Sequence, residues 1–141
     1  MKLVIKNGRV INPATKFDEI ADVLIEDGKI KEIGTDLEAG DASVYDAVGK
    51  IVTPGLIDLH VHFREPGQEA KETFESGSKA AAAGGFTTVC TMPNTNPVVD
   101  SAAIVRSLEK RAEDAACVHV KIIGAVTKNQ EGKELAELGD M

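Results

Sequence analysis

The sequence is poor in several features that mark particular classes of protein. It has no Trp, one Tyr and four Phe, so its core must be filled by Ile, Val, Leu and Ala, as in many α/β proteins. It has only two cysteines, both in apolar segments, which favours reduced thiols over a disulfide. No apolar run reaches the length of a signal peptide or a membrane span, which predicts a cytoplasmic protein.

Arginine is also scarce, and the 23 acidic residues outnumber the 16 basic ones. The formal net charge is -7, and Lys and Arg form no cluster, which argues against a nucleic acid or an anionic membrane as partner. The arginines are Arg9, Arg64, Arg106 and Arg111. An anionic ligand would therefore have to be held by a few well-placed cations or amides.

The first fifty residues predict a small β module. Two pairs of short β-rich runs surround Asn7-Gly8 and Asp27-Gly28, dipeptides that favour hairpin turns, and a further strand is expected near residues 43–55. We interpret residues 1–52 as this module, part of a β-sandwich.

From residue 53 to residue 141 the pattern changes to alternating strands and helices. Strands are predicted at 56–63, 86–93 and 118–126, and helices at 71–83, 101–115 and 130–139. This order is typical of a parallel sheet with right-handed crossovers, which gives an α/β fold class. Three such units are under half of a (β/α)8 barrel, so the sheet is either open or part of a truncated barrel.

The most informative segment is Pro54 to Gly67, PGLIDLHVHFREPG. Side chains alternate along a strand, so its polar and apolar residues should lie on opposite faces. One alternative is an antiparallel strand with a solvated face, but the β/α pattern that follows favours a strand whose polar face lines a cavity. The expected polar face has Asp58, His60, His62 and Arg64, and the expected apolar face has Ile57, Leu59, Val61 and Phe63.

Two histidines at this spacing can direct ring nitrogens to one zinc ion, although a catalytic zinc needs a third protein ligand. His119 is the only other histidine, and it begins the third strand, whereas active sites of parallel sheets collect at the carboxyl ends. We therefore interpret His119 as structural. Asn94 follows the second strand beside the two histidines, either as a turn residue or as a hydrogen-bonding group, and Arg64 could bind a carboxylate in bidentate fashion.

VTPGLIDLHVHFREPG and AAAAGGFTTVCTMPNTNP, preceded by a β-rich module, closely resemble the amidohydrolase superfamily and, within it, the long bacterial dihydroorotases. The resemblance covers residues 1–141 as the amino-terminal third of such an enzyme. The Pro-Gly-x-x-Asp and His-x-His residues mark the superfamily, whereas Arg-Glu-Pro-Gly favours dihydroorotase. Allantoinases typically have Asn at the position of Arg64, and hydantoinases lack the Arg-Glu-Pro-Gly run.

The resemblance implies the start of a metal-dependent TIM barrel and a set of site residues. His60 and His62 would ligate zinc, present as one or two ions. Arg64 and Asn94 would hold the carboxylate of an anionic substrate, which His62 also contacts. The implied reaction is reversible hydrolysis of (S)-dihydroorotate to N-carbamoyl-L-aspartate, in de novo pyrimidine biosynthesis.

In such relatives the other metal ligands and the catalytic base come from strands after the third. We therefore expect no catalytic base within this chain, which would be an incomplete and inactive fragment. Two alternatives remain: an allantoinase-like cyclic amidohydrolase, and a non-catalytic partner subunit of another pyrimidine-pathway protein. The unpaired sheet edge of an incomplete barrel also predicts oligomerisation or aggregation.

Overall fold

The computed structural model describes residues 1–141 and contains two compact units, Met1–Pro54 and Gly55–Met141. The first unit consists of five strands, and the second consists of three strands and two α-helices. In chain order the strands of the first unit are β1 Lys2–Asn12, β2 Phe17–Glu26, β3 Lys29–Gly34, β4 Ser43–Asp46 and β5 Ile51–Val52.

The first unit is one mixed sheet with the strand order β3-β2-β1-β4, and β5 also pairs with β1. β1, β2 and β3 form an antiparallel meander, whereas β4 and β5 run parallel to β1. Val10, Ala21 and Val23 are its buried centre. The second layer that a β-sandwich requires is not formed by residues 1–54.

The two predicted hairpins of this unit have different outcomes. Asp27 and Gly28 both have positive φ, 50° and 74°, and join β2 to β3 in the pattern of a type I′ turn, as predicted. The prediction of a hairpin at Asn7-Gly8 is wrong, because β1 continues through both residues. Asn7, with φ of 61°, instead lies in a β-bulge, where β1 has one more residue than β2.

The second unit has the first five elements of the predicted β-α-β-α-β-α order. Its strands form a parallel sheet in the order β6-β7-β8, which fits helical crossovers between consecutive strands. Neither helix is long and apolar enough to cross a membrane. The elements are β6 Leu56–Val61, α1 Phe74–Ala83, β7 Phe86–Thr91, α2 Ala102–Ala115 and β8 His119–Ile122.

Local sequence explains both helices. α1 begins after Thr73, whose hydroxyl accepts a hydrogen bond from the Ser76 N–H in a capping box, and it ends at Gly84. α2 buries Val105, Leu108 and Ala112, residues at helical spacing, as the sequence predicts. These two helices and the sheet enclose one apolar core that includes Phe63, Phe74, Val89, Val99, Val105, Leu108 and Ala112.

The third predicted helix, at 130–139, does not form. Only a 3-10 turn occurs at Lys128–Gln130, and the chain then folds back so that Thr127 pairs with Leu135. The Lys128 N–H donates to the Glu134 carbonyl and the Ala136 N–H donates to the Val126 carbonyl. A segment this short gains little from isolated helix formation, and these cross-strand bonds satisfy its backbone instead. The second unit thus has two complete β/α pairs and a third strand.

Candidate functional site

The strand that carries the histidine pair is not regular. Between Asp58 and Val61, β6 has one more residue than β7 has between the corresponding partners, which is a β-bulge. A bulge interrupts the alternation of faces, so the prediction of one wholly apolar face is wrong. Val61 and Phe63 pack on the core, but Ile57 and Leu59 are 61% and 70% exposed.

His60 and His62 lie at the carboxyl end of β6, and both side chains are exposed. Their ring centroids are 5.1 Å apart and the ring planes meet at 63°. Asp58 accepts a hydrogen bond from the backbone N–H of His60 at 3.0 Å, which stabilises the bulged backbone beneath the rings. Two imidazoles at this separation can approach a common ligand from two sides.

Asn94 is brought to His62 by the pairing of β6 with β7. The Met92 N–H donates to the Val61 carbonyl at 2.9 Å, so the segments after both strands start side by side. Asn94 Oδ1 then lies 2.9 Å from His62 Nδ1. Because an amide oxygen only accepts, this contact favours the tautomer of His62 with its proton on Nδ1, in which Nε2 is the nitrogen available to a ligand. This contact is the arrangement that orients metal-binding histidines in proteins.

Arg64 follows the histidine pair and is half-buried. Its guanidinium group has no carboxylate within ion-pair distance, although the chain has 23 Asp and Glu residues. Its backbone carbonyl accepts a hydrogen bond from the Gln68 N–H at 3.1 Å, which closes the following loop. Arg64 is therefore a positive residue, two positions after His62, that forms no ion pair with an acidic side chain.

The donor set for a metal ion is partial. His60 and His62 fit two ligand positions, but no group of three or more His, Cys, Asp or Glu side chains is arranged to hold a metal. His119 pairs with Thr88 near the start of β7, at the opposite end of the sheet from His62. A catalytic zinc needs at least one more protein ligand than this chain brings together.

One cavity lies away from the histidine pair. It has a volume of about 820 Å³, covers the amino ends of β7 and β8 beside α2, and is lined by His119 and Cys117 among others. A smaller cavity of about 270 Å³ reaches Asp58 and His62. Chemistry of parallel β/α sheets occurs at the carboxyl ends of the strands, whereas the smaller cavity extends along α1 to Phe86 at the start of β7, so neither cavity is centred on the histidine pair.

Two residues near the site were not identified from the sequence as functional candidates. Glu65, from the Arg-Glu-Pro-Gly segment, is buried, and it forms an ion pair with Arg111 of α2. The local sequence offers no sign of a partner for Glu65, because Arg111 is 46 positions away. The one available signal in the sequence for the role of Arg111 was that the chain has only four arginines.

Comparison with known proteins connects this site to a family. A family model described as "Dihydro-orotase-like" matches residues 49–141. The dihydroorotase of Solibacter usitatus is 55% identical over 141 residues, and that of Syntrophotalea carbinolica is 54% identical over 141 residues. Both alignments cover 100% of this chain and 33% of the relative. The chain thus spans about a third of the length of the curated relatives it matches.

Solved structures show the same similarity at the level of the fold. The L-hydantoinase (dihydropyrimidinase) of Arthrobacter aurescens has a TM-score of 0.81 and 31% identity, covering 89% of this chain and 28% of its own. The D-hydantoinase of Thermus sp. has a TM-score of 0.74 and 37% identity, with 94% and 29% covered. These matches confirm the predicted fold class, a small β module followed by the beginning of a (β/α)8 barrel.

Proposed function

This chain belongs to the dihydroorotase-like family, and from that premise we propose that it supplies the amino-terminal part of a zinc-dependent dihydroorotase. The reaction is the reversible hydrolysis of (S)-dihydroorotate to N-carbamoyl-L-aspartate, a step of de novo pyrimidine biosynthesis in the cytoplasm. The observation that carries the proposal is the group His60, His62, Asn94 and the unpaired Arg64 at one end of β6. Relatives about 55% identical and named dihydroorotase support the choice of substrate.

In this proposal His60 and His62 hold the metal. His62 binds through Nε2, because Asn94 occupies its Nδ1 side at 2.9 Å. When bound, the metal would supply the Lewis acidity that opening of a cyclic amide requires. Asp58, through its bond to the His60 backbone, keeps the strand end in the bulged form that separates the two rings by 5.1 Å.

Arg64 and Asn94 bind the substrate carboxylate, and His62 contacts the substrate from the metal side. A guanidinium group matches a carboxylate with two parallel hydrogen bonds, and Arg64 is available because no acidic residue pairs with it. The amide nitrogen of Asn94 can donate to the same carboxylate while its oxygen stays on His62. In a chain of net charge -7, such a dedicated cation is what an anionic substrate needs.

Arg64 also separates this proposal from its nearest alternative. An allantoinase-like enzyme would act on an uncharged ring and would have no use for an unpaired arginine at this position. A direct comparison of dihydroorotate, allantoin and hydantoin as substrates distinguishes the three specificities. For an enzyme in which this chain is completed by the remaining part of a dihydroorotase, we expect activity on dihydroorotate, with Arg64→Asn reducing that activity far more than it reduces activity on the neutral rings.

We further propose that the missing ligands and the catalytic base come from residues outside this chain. This is consistent with the coverage of 33% of the relatives and with a partial donor set. The chain alone should then hydrolyse no dihydroorotate. Pairing with another copy or with a pyrimidine-pathway protein is a further part of the proposal, which co-purification and analytical ultracentrifugation would test.

The test joins residues 1–141 to the remaining two thirds of the Solibacter usitatus dihydroorotase. The joined enzyme should contain zinc by elemental analysis and hydrolyse dihydroorotate, while the chain alone should not. His60→Ala and His62→Ala should remove both metal and activity, and His119→Ala, at the other end of the sheet, is the matched control. Ring hydrolysis by the purified chain alone, abolished by a chelator and by His60→Ala, would contradict the fragment proposal.

A further inference from the structure

Glu65 is a buried charge that the proposed reaction does not use. Its side chain is 8% exposed, and it lies directly after Arg64 in the loop that follows β6. A buried carboxylate is costly unless it is paired and hydrogen-bonded. Glu65 satisfies this condition with two partners from two different helices.

The first partner is α1. Glu65 Oε2 accepts a hydrogen bond from the Phe74 N–H at 2.8 Å. Phe74 is the first residue of α1, so its N–H has no acceptor within the helix. The carboxylate also lies at the positive end of the helix dipole, which favours its negative charge.

The second partner is α2. Arg111 Nη2 forms an ion pair with Glu65 Oε1, and it reaches to within 4.0 Å of Glu69 Oε1 in the same loop. Glu69 in turn accepts a hydrogen bond from the Gly67 N–H at 2.9 Å, and this bond, with Arg111 nearby, lowers the pKa of the Glu69 carboxyl. One arginine on α2 therefore lies close to two acidic residues of the loop.

The loop is also attached to the segment that carries Asn94. The Asn96 N–H donates to the Pro66 carbonyl at 3.0 Å. The loop is thus held to α1 and α2 by the hydrogen bond and the ion pair of Glu65, and to the segment after β7 by the hydrogen bond from Asn96. Arg64 precedes Glu65 directly, so the position of its guanidinium group depends on where Glu65 is held.

We propose that Glu65 and Arg111 form a positioning pair that holds the loop in place for Arg64 and so sets how tightly the site binds the carboxylate of its substrate. The inference rests on the proposed function, in which Arg64 binds that carboxylate. In this proposal neither residue of the pair contacts the substrate, and the pair acts through the loop that carries Arg64.

The first experiment uses the 141-residue chain and measures amide hydrogen exchange by NMR. In Arg111→Gln, Glu65 loses the ion pair that fixes its carboxylate, which weakens the hydrogen bond from the Phe74 N–H to that carboxylate. The Phe74 amide should then exchange on the order of tenfold faster. Arg106→Gln is the matched control, since Arg106 lies exposed on the same helix without an ion pair. Equal exchange in the two variants would overturn the inference.

The second experiment uses the joined enzyme described above and separates KM from kcat. Arg111→Gln should raise KM for dihydroorotate roughly tenfold, a typical effect of losing a partner that orients a binding group, with kcat and zinc content nearly unchanged. Arg111→Lys, which keeps the charge, should recover part of the loss. A fall in kcat and zinc content with an unchanged KM would show a merely structural role and overturn the inference.

Glu65→Gln provides a second route, because it keeps the shape of the side chain and removes its charge. It should reproduce the rise in KM, and the double variant should be no worse than either single one, since both changes break one pair. Additive effects would overturn the inference. If the unmodified joined enzyme hydrolyses no dihydroorotate, the proposed function fails, and the exchange experiment by itself decides whether the pair holds the loop.

Discussion

A substitution at Gly67 tests how closely the two segments of the site approach each other. Gly67 has φ of +86°, and a Cβ atom built there would lie 1.9 Å from the backbone oxygen of Asn96. Gly85 is the matched control, because its φ is +83° and a Cβ atom there would meet nothing within 4 Å. Alanine at the two positions therefore imposes the same backbone conformation with and without a steric conflict.

The expected magnitudes follow from these two environments. The left-handed conformation should cost each variant roughly 1–2 kcal/mol in the free energy of unfolding. At Gly67 the obstacle is a backbone oxygen, which cannot rotate away, so the loop must shift at an additional cost of about 1–3 kcal/mol. The same shift lengthens the 3.0 Å bond between the Asn96 N–H and the Pro66 carbonyl. Gly67→Ala should therefore be the more destabilising variant by about 1–3 kcal/mol.

Urea unfolding followed by circular dichroism measures both free energies, and NMR of the His62 side chain reports on the site. Gly67→Ala should also change the His62 ring signals, because Asn94 belongs to the segment that has to move, whereas Gly85→Ala should leave them unchanged. Equal losses of stability in the two variants, with identical His62 spectra, would refute the close approach of the two segments.

Three further predictions concern single contacts. Asp22→Ala should lower the free energy of unfolding by about 2–4 kcal/mol, because the buried carboxylate accepts hydrogen bonds from the Lys6 side chain and from two backbone N–H groups. Asp18, on the same strand, forms only an exposed ion pair with Arg9, so Asp18→Ala should cost far less. Comparable losses of the two variants in urea unfolding would contradict this prediction. Burial raises the pKa of the Asp22 carboxyl, but those hydrogen bonds outweigh burial and hold the pKa below its ordinary value of 3.8. The stability that Asp22 contributes is therefore fully present above pH 3.8 and is lost as the pH falls through the lowered pKa. The difference in unfolding free energy between wild type and Asp22→Ala should shrink in that acid range, and a constant difference would refute the assignment. Asn94→Ala should convert His62, but not His60, from the Nδ1-protonated form toward a mixture of tautomers, and an unchanged ¹⁵N spectrum of His62 would exclude the hydrogen bond.

Part of the site could be predicted because it follows from local pattern. The alternation of strands and helices placed the histidine pair at the carboxyl end of the first barrel strand and Asn94 after the second. Adjacent parallel strands bring these ends together, so the sequence predicted that Asn94 lies beside the histidine pair, whereas its hydrogen bond to His62 is known only from the structure. The assignment of His60 and His62 to a metal, and of Arg64 to a carboxylate, remains a prediction that the experiments above address.

Other features could not be predicted because one local signal is compatible with several structures. Asn7-Gly8 favours positive φ, which serves a hairpin turn or a bulge equally well, and here the bulge opposite β2 was formed. The apolar spacing in 130–139 is compatible with a helix, yet cross-strand hydrogen bonds formed instead. In β6 one additional residue interrupted the alternation that the sequence pattern predicts.

The sequence by itself determined the fold class, the order of the first five elements in the second unit and the residue types at the end of β6, because these depend on periodicity and on short motifs within one segment. Only the tertiary structure decided the bulge in β6, the protonated nitrogen of His62 and the pairing of Glu65 with Arg111. Each of these depends on a contact between segments distant in sequence, and the energy of such a contact is set by the folded backbone that brings the partners together. The Glu65 carboxylate is a candidate positioning group because it contacts both the Phe74 N–H of α1 and the Arg111 side chain of α2, and only the folded structure brings these two partners together.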